Sequence, residues 1–142
     1  MLVRLLYASR AAESLTPEVV DGILAASRKN NPAMGITGLL CHSGDSFIQV
    51  LEGGRDTISK LYGRIICDTR HRDVALLKYE EITERRFAGW TMGQVNLNRV
   101  NPSILLKYSE RPVLDPYAVS GEVSMALLEE LIATACIASR PA

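Results

Sequence analysis

Residues 46–52, Ser-Phe-Ile-Gln-Val-Leu-Glu, alternate with the period of a β-strand, yet both faces are apolar: Phe47 and Leu51 lie on one, Ile48 and Val50 on the other. A strand of this kind belongs inside a sheet that is covered on both sides, which excludes a one-faced antiparallel sheet. The chain has 142 residues, enough for one domain with a sizeable core, and its 47% hydrophobic and 23% charged residues are those of a globular protein.

The rest of the pattern supplies the cover. Residues 2–8 alternate, with Leu2, Arg4 and Leu6 on one face and Val3, Leu5 and Tyr7 on the other. Thr16-Pro17-Glu18 combines an N-cap, a first-turn proline and an acid at the positive helix end. The helix it opens carries Val19, Val20, Ile23 and Leu24 at helical spacing and is expected to end at Arg28-Lys29-Asn30-Asn31-Pro32. Strands at 34–42 and 46–52 flank the turn-forming Ser43-Gly44-Asp45. A second helix over 55–67 has the apolar stripe Ile58, Leu61, Tyr62 and Ile65, and Gly63 inside it implies close packing. Strands at 73–82 and about 91–95 complete the order strand, helix, strand, strand, helix, strand, strand. That order predicts an α+β, ferredoxin-like sheet with both helices on one face.

Beyond residue 96, prolines at 102, 112 and 116 punctuate a short helix near 102–108 and a longer one near 119–137. The longer helix, with Val119, Val123, Ala126, Leu127, Glu130 and Leu131 near one side, is expected to cover the other face of its own sheet. The division is therefore 1–95 for the sheet domain and 96–142 for a helical extension.

Several function classes are excluded or unsupported. Sixteen basic and sixteen acidic residues cancel, so the electrostatic footprint of nucleic-acid binding is missing. No apolar run reaches the length that crosses a bilayer, and MLVRLLYASR is not a signal peptide, so a cytoplasmic protein without membrane contact is expected. Cys41, Cys67 and Cys136 have no metal-ligand spacing and read as small buried hydrophobes. No metal site is expected. The hydrolase and nucleotide-binding patterns are lacking, and an enzyme is not expected.

Gln49 carries the most information. Its primary amide lies between Phe47 and Leu51 on an apolar face, where an unsatisfied amide costs about 1–3 kcal/mol. In a ferredoxin-like sheet the first and third strands are neighbours at the centre, so Tyr7 and Gln49 face the groove between the helices, with Asn31 entering from the first helix end. A groove walled by Ile23, Leu24, Leu61 and Ile65 suits a flat heteroaromatic with a polar edge. The same residues also fit a satisfied structural amide, a rim tyrosine and helix-capping asparagines. Spacing alone leaves both readings open.

The stretches Leu5-Leu6-Tyr7-Ala8-Ser9, Ser27-Arg28-Lys29-Asn30-Asn31, Gly35-Ile36-Thr37-Gly38-Leu39-Leu40, Phe47-Ile48-Gln49-Val50-Leu51-Glu52-Gly53, Asp68-Thr69-Arg70-His71 and Arg86-Phe87-Ala88-Gly89-Trp90-Thr91-Met92 resemble, in order and spacing, the BLUF family of blue-light photoreceptors that bind FAD. The resemblance covers about residues 1–95, and the remainder is similar to the extension of short stand-alone members. It implies non-covalent FAD, with Tyr7 and Gln49 as the photoactive pair and Asn31 and Asn30 at the pyrimidine edge of the ring. It further implies Ile23 and Ile65 at the ring, Arg64 and Asp68 near its N3 and O2 side, Arg70 and His71 near the ring or ribityl chain, and Arg28 and Lys29 toward the phosphates.

The implied photochemistry is light-driven transfer of an electron and a proton from Tyr7, followed by a rotated or tautomerised Gln49 amide and a modest red shift. Trp90 and Met92, two residues apart on the last strand, would share a face, compete for a place near Gln49 and relay the signal. Output is expected to reach a separate effector protein, and a homo-oligomer is expected. Three other readings compete: a thiol-adduct photosensor, a flavin oxidoreductase, and a flavin-free ferredoxin-like regulatory subunit. Neither Cys41 nor Cys67 lies in the Asn-Cys-Arg context of the first, and no dinucleotide fingerprint supports the second.

Overall fold

The computed structural model describes residues 1–12 and 16–134. Its elements are β1 (Leu2–Ala11), α1 (Pro17–Met34), β2 (Thr37–Ser43), β3 (Ser46–Gly54), α2 (Arg55–Cys67), β4 (His71–Ile82), β5 (Gly93–Asn96), a 3-10 turn (Leu97–Arg99), α3 (Pro102–Leu106) and α4 (Gly121–Ala133). The strands order as β4-β1-β3-β2-β5, antiparallel except for the parallel β2–β5 pair. This is the expected ferredoxin-like arrangement with one added edge strand. β3 lies at the centre, as its two apolar faces require.

Alternation along the strands sorts the core into two layers. Val3, Leu5, Leu40, Phe47 and Leu51 pack with Val20 and Leu24 of α1 and Ile58 of α2. On the opposite face Leu6, Leu39, Cys41, Ile48 and Val50 pack with Leu105, Leu114, Met125, Leu127, Leu128 and Leu131. The C-terminal segment therefore covers its own sheet, and burial of these aliphatic side chains contributes about 1.5–3 kcal/mol each.

Several local expectations need correction. α1 does not end at Asn30-Asn31-Pro32: Pro32 lies inside it, and the helix closes at Gly35, whose φ of 67° lets its N–H reach back to Asn31 O and Pro32 O. Proline in a final turn forfeits one helical bond, while a left-handed cap needs glycine. Gly63 is exposed with nothing within 4 Å of where a Cβ would stand, so it marks no close packing. Cys41 is buried as expected, but Cys67, at the last position of α2, is exposed. α4 starts at Gly121 rather than 119, behind the Ser120 cap, and buries Ser124, Met125, Leu127, Leu128 and Leu131. Val123, Ala126 and Glu130 are only half-buried, because the helix presents the neighbouring face to the sheet. The expected continuation of this helix to 137, Cys136 and the stretch 139–142 lie outside the described residues.

Candidate functional site

β1 and β3 pair in a register that sets Tyr7 directly opposite Gln49, and the β2–β3 register sets Leu40 on Gln49's other side. These side chains face α1 and α2. The Tyr7 hydroxyl donates to Gln49 Oε1, and Gln49 Nε2 donates to Met92 Sδ at 3.3 Å. A thioether accepts but cannot donate, so the amide nitrogen must be the end that faces Met92. The amide that the sequence left without a partner is thus satisfied at both ends while only 5% exposed.

Burial is the main cause that raises the Tyr7 phenol well above its ordinary pKa, with the Tyr62 and Asp68 side chains adding to it. Tyr7 is therefore a neutral hydrogen-bond donor at physiological pH. Its ring lies 5.7 Å from that of Tyr62, centroid to centroid, inclined at 50°.

A cleft of about 80 Å³ opens over the pair, bounded by Val19 and Ile23 of α1, Ile65 of α2, Leu40 and Phe47 of the sheet, and Asp68, Arg70 and His71 beyond the end of α2. Apolar walls converge on one phenol and one carboxamide, with charged groups at the mouth. That composition fits a flat ring with a polar edge, although the volume shows the walls standing closer together than a three-ring system needs. Ile23 and Ile65 are only half-buried, and their side chains would have to part to admit it.

The mouth is held by two bonded groups. Asp68 caps α2 and accepts from the Arg70 guanidinium at 2.7 Å and from Arg70 N at 2.9 Å. The guanidinium bonds dominate in holding the carboxyl down at about 2, and the backbone N–H adds to them. Asp68 pairs with Arg70 and not with Arg64, one turn earlier in sequence, because Asp68 has already left helical geometry. His71 bridges Ser9 Oγ, 3.0 Å from Nδ1, and Ile65 O, 2.8 Å from Nε2. A carbonyl only accepts, so Nε2 is the donor in the bond to Ile65 O.

The remaining expected residues divide. Lys29, Asn30, Asn31 and Arg64 line a second groove between α1 and α2, with Leu61 and Met34, and not the cleft over Gln49. Asn31 is buried and its Nδ2 donates to Thr91 O at 3.2 Å. Arg28 donates to Met92 O at 3.3 Å rather than pointing to solvent. Both residues thereby tie the end of α1 to the segment that carries Met92, a role the helix-end pattern did not reveal.

Trp90 and Met92 do not share a face. Both precede β5, which begins at Gly93, and the chain there does not alternate as a strand. Met92 packs in the layer with Tyr7, whereas Trp90 packs in the layer beneath α4. Residues missed from sequence include Leu40, Phe47 and Val19 in the cleft wall, Ser9 behind His71 and Tyr62 against Tyr7; only the sheet register and helix placement identify them. Cys41 lies on the face away from Gln49, and burial pushes its thiol up to about 12, which gives a thiol-adduct reading no support.

A family profile described as sensors of blue-light using FAD, BLUF, matches residues 2–93. Photoactivated adenylate cyclase subunit beta of Euglena gracilis is 34% identical over 92 residues, 64% of this chain but only 11% of its own length. The blue light- and temperature-regulated antirepressor BluF of Escherichia coli K12 is 28% identical over 87 residues, 61% of this chain and 22% of that protein. The chain thus spans a small part of these curated relatives. Two solved structures match nearly end to end. BlsA in its photo-activated state superposes with a TM-score of 0.82 at 29% identity, covering 100% of this chain and 99% of BlsA. BlrB, a BLUF protein in its dark state, gives 0.74 at 35% identity over 94% of this chain and 96% of BlrB.

Proposed function

The chain belongs to the BLUF family of blue-light sensors that use FAD, and from that premise we propose that Tyr7, Gln49 and Met92 form its light-switched hydrogen-bond relay. The observation that carries this reading is the two-ended satisfaction of one buried amide: phenol on Oε1, thioether on Nε2.

Bound FAD, excited by blue light, would supply a strong electron acceptor to this pair. Tyr7 is poised to give up an electron because its proton has a prepared destination. An oxidised phenol is far more acidic than a neutral one, and its hydrogen bond already ends on Gln49 Oε1. As Oε1 takes that proton, Nε2 would release one of its own toward the flavin, and return of the electron and a proton to Tyr7 would leave the amide with its donor and acceptor ends exchanged, by rotation or by tautomerisation. A carboxylate could not do this, since it only accepts. An amide turned over would face Met92 Sδ with oxygen, where neither atom donates, so the Met92 contact is lost and the segment that carries Met92 is the first to sense light.

Ile23 and Ile65 flank the cleft in which the flavin ring would lie, Asp68, Arg70 and His71 would close the mouth, and Asn31 and Asn30, which line the neighbouring groove, would take the polar edge only where the ring extends from the cleft into that groove. Lys29 and Arg64, exposed on the second groove, would meet the ribityl chain or phosphates, in place of the N3 and O2 side that the resemblance implies for Arg64, with Arg28 beside them bonded to the Met92 carbonyl. Residues 1–95 are assigned to flavin binding and 96–142 to the cap that reads the sheet's other face.

The chain acts as a sensor, not as an enzyme, and output passes to a separate protein in the cytoplasm, accompanied by self-association. Near-complete overlap with BlsA in a photo-activated state supports a photoresponsive chain. Among the described residues no helix is long and apolar enough to cross a membrane. The decisive experiment is an absorbance spectrum of the purified protein before and after blue light. A yellow protein with a small, reversible red shift supports the proposal. A colourless protein that takes up no FAD supports the regulatory-subunit reading instead, and lasting bleaching supports adduct or redox chemistry.

A further inference from the structure

Arg4 and Glu52 form a registered pair across β1 and β3, each three residues from the corresponding member of the Tyr7–Gln49 pair, but on the opposite sheet face. Among the described residues Glu52 is the one fully buried carboxylate. Its Oε2 accepts from Arg4 Nε at 2.9 Å and from Arg86 N at 2.9 Å, and its Oε1 accepts from Phe87 N at 2.8 Å. Arg4 is held in turn by Glu80 of β4 at 2.5 Å.

A buried ion pair is a poor source of stability, because desolvation offsets its attraction, but it imposes geometry when every hydrogen-bonding site is satisfied. Here the geometry is that of the 86–92 segment. Its start is fixed to β3 by two backbone N–H groups on one carboxylate. The chain then turns through Trp90 N to Phe87 O at 3.1 Å, and Trp90 O accepts from Gly38 N at 3.0 Å. Met92 follows two residues later, against Gln49. The Arg86 side chain also reaches Glu129 of α4 at 3.4 Å, which ties the same segment to the C-terminal cap.

We propose that Glu52 is a positioning residue for the photoresponse: with Arg4 it holds the 86–92 segment against the photoactive strands and so sets how fast the rearranged Gln49 amide returns. This rests on the relay proposed above. With the clamp loosened, Met92 loses its fixed distance from Gln49, and the amide loses the acceptor that favours its dark orientation.

The test uses the full chain loaded with FAD, after the unmodified protein has shown its own red shift and recovery. In Glu52→Gln the one amide oxygen can serve Arg4 and Arg86 or Phe87 but not all three, so an NH₂ group meets at least one of the clamp's backbone donors and the charge that holds Arg4 is lost. Arg4→Lys is milder, keeping the charge but removing the fork. Both are expected to retain the full red shift while dark recovery slows at least threefold in the first and by a smaller factor in the second. Lys107→Gln, which breaks an exposed ion pair with Glu130 of α4 and touches neither the clamp nor the cleft, should recover at the unmodified rate. Unaltered recovery in whichever clamp variant folds and holds flavin overturns the proposal, as does a lowered melting temperature with unaltered recovery. Absence of any red shift in the unmodified protein would instead refute the photoreceptor reading.

Discussion

Tyr7→Phe tests the relay at its tightest point, because the change removes one oxygen and little else. In the folded chain Tyr7 is 3% exposed and Gln49 5%, so water does not replace the lost donor. Gln49 Oε1 is then a buried acceptor without its phenol, which costs about 1–3 kcal/mol. For a domain of this size about 1 kcal/mol lowers the melting temperature by about 3 °C, so the flavin-free variant should melt about 3–9 °C lower. Removing the amide as well, in Tyr7→Phe/Gln49→Leu, leaves no orphaned oxygen, and the double variant should be more stable than the sum of the singles predicts by about 1 kcal/mol or more. Thermal melts of the four proteins close this cycle. Difference spectra of the FAD-loaded forms supply an independent readout: Tyr7→Phe should stay yellow and show no red-shifted state. Additive melting shifts would refute the coupling between the two side chains, and a normal photocycle in Tyr7→Phe would refute the role assigned to the phenol.

Met92→Leu nearly conserves volume, so it should cost less than about 1.5 kcal/mol while removing the thioether acceptor; dark-recovery kinetics should change severalfold, and an unchanged rate would count against the relay. Trp90→Phe, in the layer beneath α4, should leave the position of the red-shifted band untouched, and a displaced band would place Trp90 at the flavin after all. Gly38→Ala puts a Cβ 1.9 Å from Val50 O, so β2 must move off β3; destabilisation of about 3 kcal/mol or more is expected by chemical denaturation, and a variant as stable as the parent would contradict that close approach. The Asp68 carboxyl sits at about 2 against an ordinary 3.8, held down chiefly by Arg70. A lowered folded-state pKa stabilises above the unfolded value, so the advantage of the parent over Asp68→Asn should be full above about pH 4 and fade as pH falls toward 2. An advantage independent of pH across that range would show that the ion pair is not its source.

Period-two alternation and helical spacing were enough to order the strands and helices, because those patterns report which side of each element avoids water. The doubly apolar β3 and the alternation of Leu5, Leu6 and Tyr7 already required a sheet buried on both faces, and the blocks around Tyr7, Asn31 and Gln49 identified the family. Where the chain leaves regular geometry, the patterns lose their meaning. Trp90 and Met92, two residues apart, would share a face of a strand, yet the backbone turns after Phe87 and sends them to opposite sides of the sheet. Arg64 and Asp68, four apart, would meet on a helix, yet the helix has ended and Arg70 takes the carboxylate. Glu52 closes the alternating stretch 46–52, and only the approach of Arg4, Arg86 and Phe87 from distant parts of the chain makes it a buried anchor. Local pattern encodes solvent preference along one element; the partners of a polar atom come from other elements, and the packing of those elements alone brings them within reach.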